Sequence, residues 1–347
     1  MNGKSNRRLA LGAAAIAALS AGPALAQAPV VITGLSAPRG LTASGDSVLV
    51  AVQGDGSILR IAADGTVTPV AEGLRTAQQT DPDGNPSTAG AAVAIETDAG
   101  VFYLSNVADC YCLMALGADG ASTALADLGA YEAEHNTDGL VVEGTPELES
   151  NPFDLVSDGA DGFFVTDAAA NAVLHVTADG TISPFYVFPR RANPLAGMVG
   201  APDMDPVPTG LERGPDGALY VTSMTGFPFP EGGSVVYRLE DTDGDGTANG
   251  QGEVTPFAEG LTMAIQLAFD GDDALLVSEF SLDMLNNGPG RVVRIANGET
   301  TEVAAPLISP TGLAVLGDDV IVTQEFLGIV AEAGAAAGIA ASPPPAQ

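Results

Sequence analysis

The chain repeats itself, and the repeat fixes what it can fold into. Residues 151–188 read NPFDLVSDGADGFFVTDAAANAVLHVTADGTISPFYVF, and residues 208–226 read PTGLERGPDGALYVTSMTG. The second stretch runs on into SVVYRLE and, after an insertion, VTPFAEGL. Residues 38–74 carry PRGLTASGDSVLVAV and then GSILRIAADGTVTPVAEGL. Each copy holds four segments, a to d, whose apolar residues alternate. Asp-Gly pairs join a to b and c to d, and such pairs tolerate the positive φ of tight hairpins. Four antiparallel strands at this period make one blade of a β-propeller. Apart from the N-terminus and the Ala-rich C-terminus, no stretch shows a helical period of useful length, so the fold class is all-β.

Copies begin near Pro38, Ala92, Pro152, Pro208, Ala264 and Pro310. The last supplies a, b and c over residues 311–316, 320–323 and 328–332, and then stops. The missing d strand lies at the other end of the chain, where PVVITGL (residues 29–35) has the look of TVTPVAEGL (residues 66–74). Five full blades, three strands and one returning strand make a six-bladed, four-stranded propeller over residues 27–333. Closing the ring in this way removes an open sheet edge. The last residues, GAAAGIAASPPPAQ (334–347), read as a disordered tail.

The first residues read as an export signal. Arg7 and Arg8 end a basic stretch, residues 9–20 form a short apolar run, and Ala24-Leu25-Ala26 gives a cleavage pattern, so residues 1–26 are read as a signal peptide. No segment is long enough to span a bilayer as a helix, and the expected location is periplasmic or secreted. The net charge of -32 comes from 44 acids against 12 bases. That surface repels nucleic acid and anionic lipid, and it suits metal cations. Cys110 and Cys112 are the only cysteines. Alternate strand residues share a face near the limit of bridging distance, which leaves a disulfide and two structural thiols both open.

In four-stranded blades the d–a and b–c connections share one face. The long connections, residues 75–89, 131–150, 189–207, 225–233 and 281–290, are all of these kinds. Long loops gathered on one end of a rigid scaffold usually carry function. The residues ending the b strands are Val52, Asn106, Asp167, Ser223, Glu279 and Gln324, and near the a-strand starts lie Arg39, Asn151, Asp154, Thr209, Gln266 and Thr311. From these the candidate ligand-binding set at the channel mouth is Asn106, Asn151, Asp154, Gln266 and Glu279. The competing reading is that such residues satisfy loop backbone groups, as Asx turns and strand caps do.

On the opposite face the c–d connection of blade four reads Asp241-Thr242-Asp243-Gly244-Asp245-Gly246, continuing to Asn249 and Glu253. Acids at positions one, three and five with Gly at six match the first half of a calcium loop. A structural Ca²⁺ held by Asp241, Asp243, Asp245, Asn249 and Glu253 stands against a solvated acidic turn. Residues 81–85, Asp-Pro-Asp-Gly-Asn, are a shorter echo. The two histidines, His135 and His175, assemble no Ser-His-Asp, HExxH or phosphate-loop arrangement.

The segments DAAANAVLHVTADG (167–180) and PTGLERGPDGALYVTS (208–223) resemble NHL repeats. More narrowly, NPFDLVSDGADGFFVTDAAANAV and VPTGLERGPDGALYVTSMTGFPFPEGG are similar to the ScyD/ScyE family of exported propellers. The resemblance covers essentially the whole mature chain, and GFPFPEGG (226–233) is its most specific part. It implies an exported propeller and brings no catalytic residue. The function expected is that of a binding or scaffold protein whose loop-rich face engages a small molecule or protein. The alternative is a metal-dependent lactonase- or lyase-like propeller. Gluconolactonase-like propellers imply a channel metal held by acids and amides, loosely imitated here by Asp154, Gln266 and Glu279. Virginiamycin-lyase-like ones imply histidines that this channel lacks.

Overall fold

The computed structural model describes residues 30–80, 86–271 and 274–341. Its strands form six four-stranded antiparallel sheets and three two-stranded hairpins. Blade one is Pro38–Ser44, Ser47–Val52, Ser57–Ala62 and Val67–Ala71; blade two is Ala91–Thr97, Gly100–Val107, Cys110–Leu116 and Ser122–Asp127. Blade three is Pro152–Ser157, Phe163–Asp167, Ala172–Val176 and Ile182–Val187; blade four is Pro208–Arg213, Leu219–Ser223, Ser234–Leu239 and Val254–Leu261. Blade five is Ala264–Phe269, Ala274–Glu279, Gly290–Ala296 and Glu299–Leu307. Blade six joins Pro310–Leu316, Asp319–Gln324 and Ile329–Glu332 to the N-terminal strand Val31–Thr33.

The closure has the expected partners. Val31, Ile32 and Thr33 pair with Ala331, Val330 and Ile329. Flanking bonds extend the seam, with Leu35 N–H on the Gly328 carbonyl at 3.1 Å and Glu332 N–H on the Val30 carbonyl at 3.0 Å. Pro29 and the residues before it, the expected signal peptide included, lie outside the described residues, as does the acidic echo at 81–85. The Asp-Gly turns behave as the sequence suggests. Gly65 and Gly217 have φ of 81° and 87°, and the preceding Asp64 and Asp216 carboxylates accept from Thr66 and Ala218 N–H.

The six a strands contact one another in a closed ring about the axis. Each carries a register shift near its start, between Pro38 and Leu41 in blade one and between Pro152 and Asp154 in blade three, for example. Such a bulge re-aims the early residues of the strand. The fourth residue of five of them, and the third in blade two, is an aliphatic buried between blades: Leu41, Val93, Leu155, Leu211, Leu267 and Leu313. These seed clusters that bridge neighbouring blades, such as Leu104, Leu113, Leu155, Phe163 and Leu174 between blades two and three. Truncating one of these leucines to Ala would cost about 2–5 kcal/mol.

The C-terminus corrects the sequence reading. Residues Ala333–Ala341 form a helix that packs on the last strand of blade five and on blade six. Ala333, Ala336, Ala337 and Ala340 are buried, a helical i, i+3, i+4, i+7 stripe. Ala is the best helix former, and its small side chain allows close docking. Residues 342–347 lie outside the described residues. A second helix, Leu128–His135, opens the 131–150 connection; Asp127 caps it by accepting from Ala130 N–H at 2.9 Å.

Candidate functional site

The polar ring at the b-strand ends is first of all a set of staples. Asn106 accepts from Gly90 N–H at 2.8 Å. Asp167 accepts from Asn151 N–H at 2.7 Å and from the Ser150 hydroxyl at 2.5 Å. Ser223 donates to the Pro206 carbonyl at 2.6 Å, and Gln324 accepts from Ile308 N–H at 2.6 Å. Glu279 accepts from Thr262 N–H at 2.6 Å. Each side chain fixes the connection that enters its own blade. The capping role weighed from sequence therefore accounts for these five residues.

The middle of the channel is a waist. Gly40 and Gly210, the third residues of their a strands, sit where an added Cβ would lie 2.5 Å from Val93 Cβ and 2.7 Å from Gln266 Cα. Across this waist Gln266 Nε2 donates to Asp154 Oδ2 at 2.9 Å. Asp154 also accepts from Leu211 and Leu155 N–H, both at 2.9 Å. Burial pushes its carboxyl up to about 6, against these hydrogen bonds. Below the waist all six a strands enclose a chamber of about 300 Å³. Glu212 lines it without a hydrogen-bond partner. Burial pushes that carboxyl up to about 8, and the neighbouring Asp154 adds to the shift.

Above the waist, on the loop-rich face, lies a cleft of about 1270 Å³. Connections 75–89, 131–150 and 281–290 supply its walls through residues such as Gln79, Leu148 and Met284. The other two long connections cover each other: Gly226 N–H bonds the Asp205 carbonyl at 2.9 Å, and Phe227 lies beside Gly200. Five of the six blades contribute to the lining, and Arg39 stands in it near the axis. Its Cζ lies 4.6 Å from the centroid of the Phe153 ring. Every other arginine among the described residues is held by a carboxylate or a carbonyl. The Arg39 guanidinium has neither an ion pair nor a hydrogen bond. Burial lowers its pKa, and Glu325 and Asp154 oppose that.

The sequence-derived ligand set is thus divided. Asn106 and Asn151 line the upper cleft; the Asn151 side chain has no partner. Asp154 and Gln266 hold each other at the waist. Glu279 is fully buried and ion-paired to Arg291 at 2.5 Å, away from both cavities. Gln53 and Glu325, which line the cleft, were not singled out from sequence. Arg39 was seen only as one polar residue near a strand start, although a lone basic side chain in a base-poor chain was a usable signal.

On the far face Asp241, Asp243 and Glu253 place one carboxylate oxygen each within 4.8 Å of one another. Asp241 also accepts from Gly244 and Gly246 N–H, and Glu253 from Thr242 and Gly250 N–H. The Thr242 hydroxyl and backbone hold the Glu253 carboxyl below its usual range. Asp245 is not one of the trio and receives Thr247 instead. Cys110 and Cys112 are disulfide-bonded, with Cα atoms 5.1 Å apart, which decides the question left open by sequence. His175 bonds Asp158 at 3.0 Å, and His135 stacks on Tyr131; neither lines the cleft.

Fold and channel together define an all-β, six-bladed propeller with a cleft on its loop-rich face. No family model and no curated protein matches the sequence. Solved propellers match the structure. A gluconolactonase from Xanthomonas campestris aligns with TM-score 0.55 and 13% identity over 88% of this chain and 89% of its own. Regucalcin from Agrobacterium tumefaciens, a calcium-binding protein, gives 0.53 and 14% over 87% and 91%. Virginiamycin B lyase from Staphylococcus aureus gives 0.52 and 16% over 88% and 98%. At these identities the likeness concerns the fold alone.

Proposed function

We propose that this chain is an exported binding propeller of the ScyD/ScyE type that holds a small molecule in the cleft on its loop-rich face. The observation that carries this reading is Arg39: a cation without a partner, stacked on Phe153 at the floor of a cleft of about 1270 Å³. An unpaired charge in a partly desolvated site is costly unless something compensates it. The lactonase- or lyase-like alternative has less support. Among the described residues no three Asp, Glu, His or Cys ligand atoms converge in the channel. The acids and amides that imitate a channel metal set are engaged elsewhere, Asp154 with Gln266 and Glu279 with Arg291. The test is a thermal-shift screen of a metabolite library against the parent and Ala169→Trp, which fills the cleft from its wall. Ligands that stabilise the parent and lose their effect on the variant support the reading; equal effects on both overturn it.

The loop at Asp241, Asp243 and Glu253 is proposed to bind Ca²⁺ in a structural role, at a site remote from the cleft. Three hard carboxylates converge there on a turn made sharp by Gly244 and Gly246. Calorimetric titration with Ca²⁺ should give a binding isotherm for the parent and none for Asp243→Ala. Equal heats for both would remove the site.

A further inference from the structure

The upper cleft holds two unpaired charges of opposite sign. Arg39 belongs to blade one and Glu325 to blade six, on either side of the interface between the first and last blades; the Thr323 hydroxyl donates to the Arg39 carbonyl at 2.8 Å across that interface. Both line the same cleft. They sense each other electrostatically but form no ion pair, and neither side chain has a hydrogen-bond partner. Stacking on Phe153 keeps the guanidinium where it is. Gln53, 1% exposed, lines the same cleft as Arg39, and its Nε2 is buried without an acceptor. On the cleft wall three apolar side chains, Leu148, Met284 and Phe326, are 41%, 38% and 72% exposed.

These groups ask for a ligand with both signs of charge. A bare anion would satisfy Arg39 but would meet Glu325, Glu149 and a chain of net charge -32. A bare cation would satisfy Glu325 and leave Arg39 and the Gln53 amide unmatched. We propose that the cleft recognises a zwitterion with an apolar body, an apolar amino acid or short peptide with both ends free. Its carboxylate takes the Arg39 fork and the Gln53 amide, its ammonium takes Glu325, and its side chains rest on Leu148, Met284 and Phe326. The planar guanidinium matches a carboxylate through two parallel hydrogen bonds. This inference rests on the cleft being a binding site.

The test uses leucine and leucyl-leucine, each free, C-terminally amidated and N-acetylated, titrated calorimetrically into the parent, Arg39→Gln and Glu325→Gln. The free forms should bind the parent about tenfold or more tightly than either blocked form, the value of a charge-assisted hydrogen bond. Arg39→Gln should erase the preference over the amide and keep that over the acetylated form; Glu325→Gln should do the reverse. Should a variant fail to fold, discrimination between free and blocked probes by the parent still decides. The proposal is overturned if no free form binds, if blocked forms bind equally well, or if the variants leave both preferences intact. A library compound that needs an open cleft while these probes fail would overturn the zwitterion and leave cleft binding standing.

Discussion

Glu212 offers the sharpest test of the channel's physics. Its carboxyl lines the lower chamber with no hydrogen-bond donor, beside Asp154, and its pKa is pushed up to about 8. An unfolded chain returns it to the ordinary 4.5. A carboxyl whose folded pKa lies above its unfolded value binds its proton more tightly in the native state. Its contribution to stability is therefore complete below about pH 4.5 and is lost as pH rises toward about 8. Each pH unit in that window costs about 1.4 kcal/mol, so from pH 5 to pH 7 the parent should lose up to about 2.7 kcal/mol through this group. Water in the chamber makes that an upper limit. Glu212→Gln keeps the shape and removes the titration. Urea denaturation of both proteins at pH 5, 6 and 7 should show the variant gaining on the parent by about 1–2.7 kcal/mol across the range. A difference that does not change with pH would mean that Glu212 is not protonated more tightly in the folded state.

Two further outcomes follow from the ring. Deleting residues 27–35 removes Val31–Thr33 and exposes the edge of Ile329–Glu332; light scattering should detect association, and a monomeric, equally stable truncation would contradict the closure. Gly210→Ala places a methyl 2.7 Å from Gln266 Cα at the waist and should destabilise by about 1–3 kcal/mol in urea titration, as overpacking does; an unchanged midpoint would mean the waist is looser than described.

The blades were legible because the signals are local. Alternation and turns rich in Asp, Asn and Gly mark the hairpins, and the copies that start at Pro38 and Pro310 reveal the missing strand by counting. The candidate site was less legible because it depends on who meets whom across blades. Asp154 and Gln266 look like free polar groups until strands 112 positions apart in sequence join them. Glu279 looks like a channel acid until Arg291, on the neighbouring strand of its own blade, captures it. The bulges turn the early residues of each a strand, so no alternating pattern reveals that Arg39 stands in the cleft. The helix at Ala333–Ala341 differs: its period is helical, but an Ala-rich, low-complexity stretch running into prolines reads as a tail until the buried alanine stripe is seen docked on blades five and six.

The proposed function places ligand binding in the cleft around Arg39. A crystal structure of the parent grown with the compound that stabilises it most would test that directly. The prediction is ligand density in the upper cleft, within hydrogen-bond distance of Arg39. Density confined to the lower chamber or the outer surface, with the cleft holding only solvent, would contradict it.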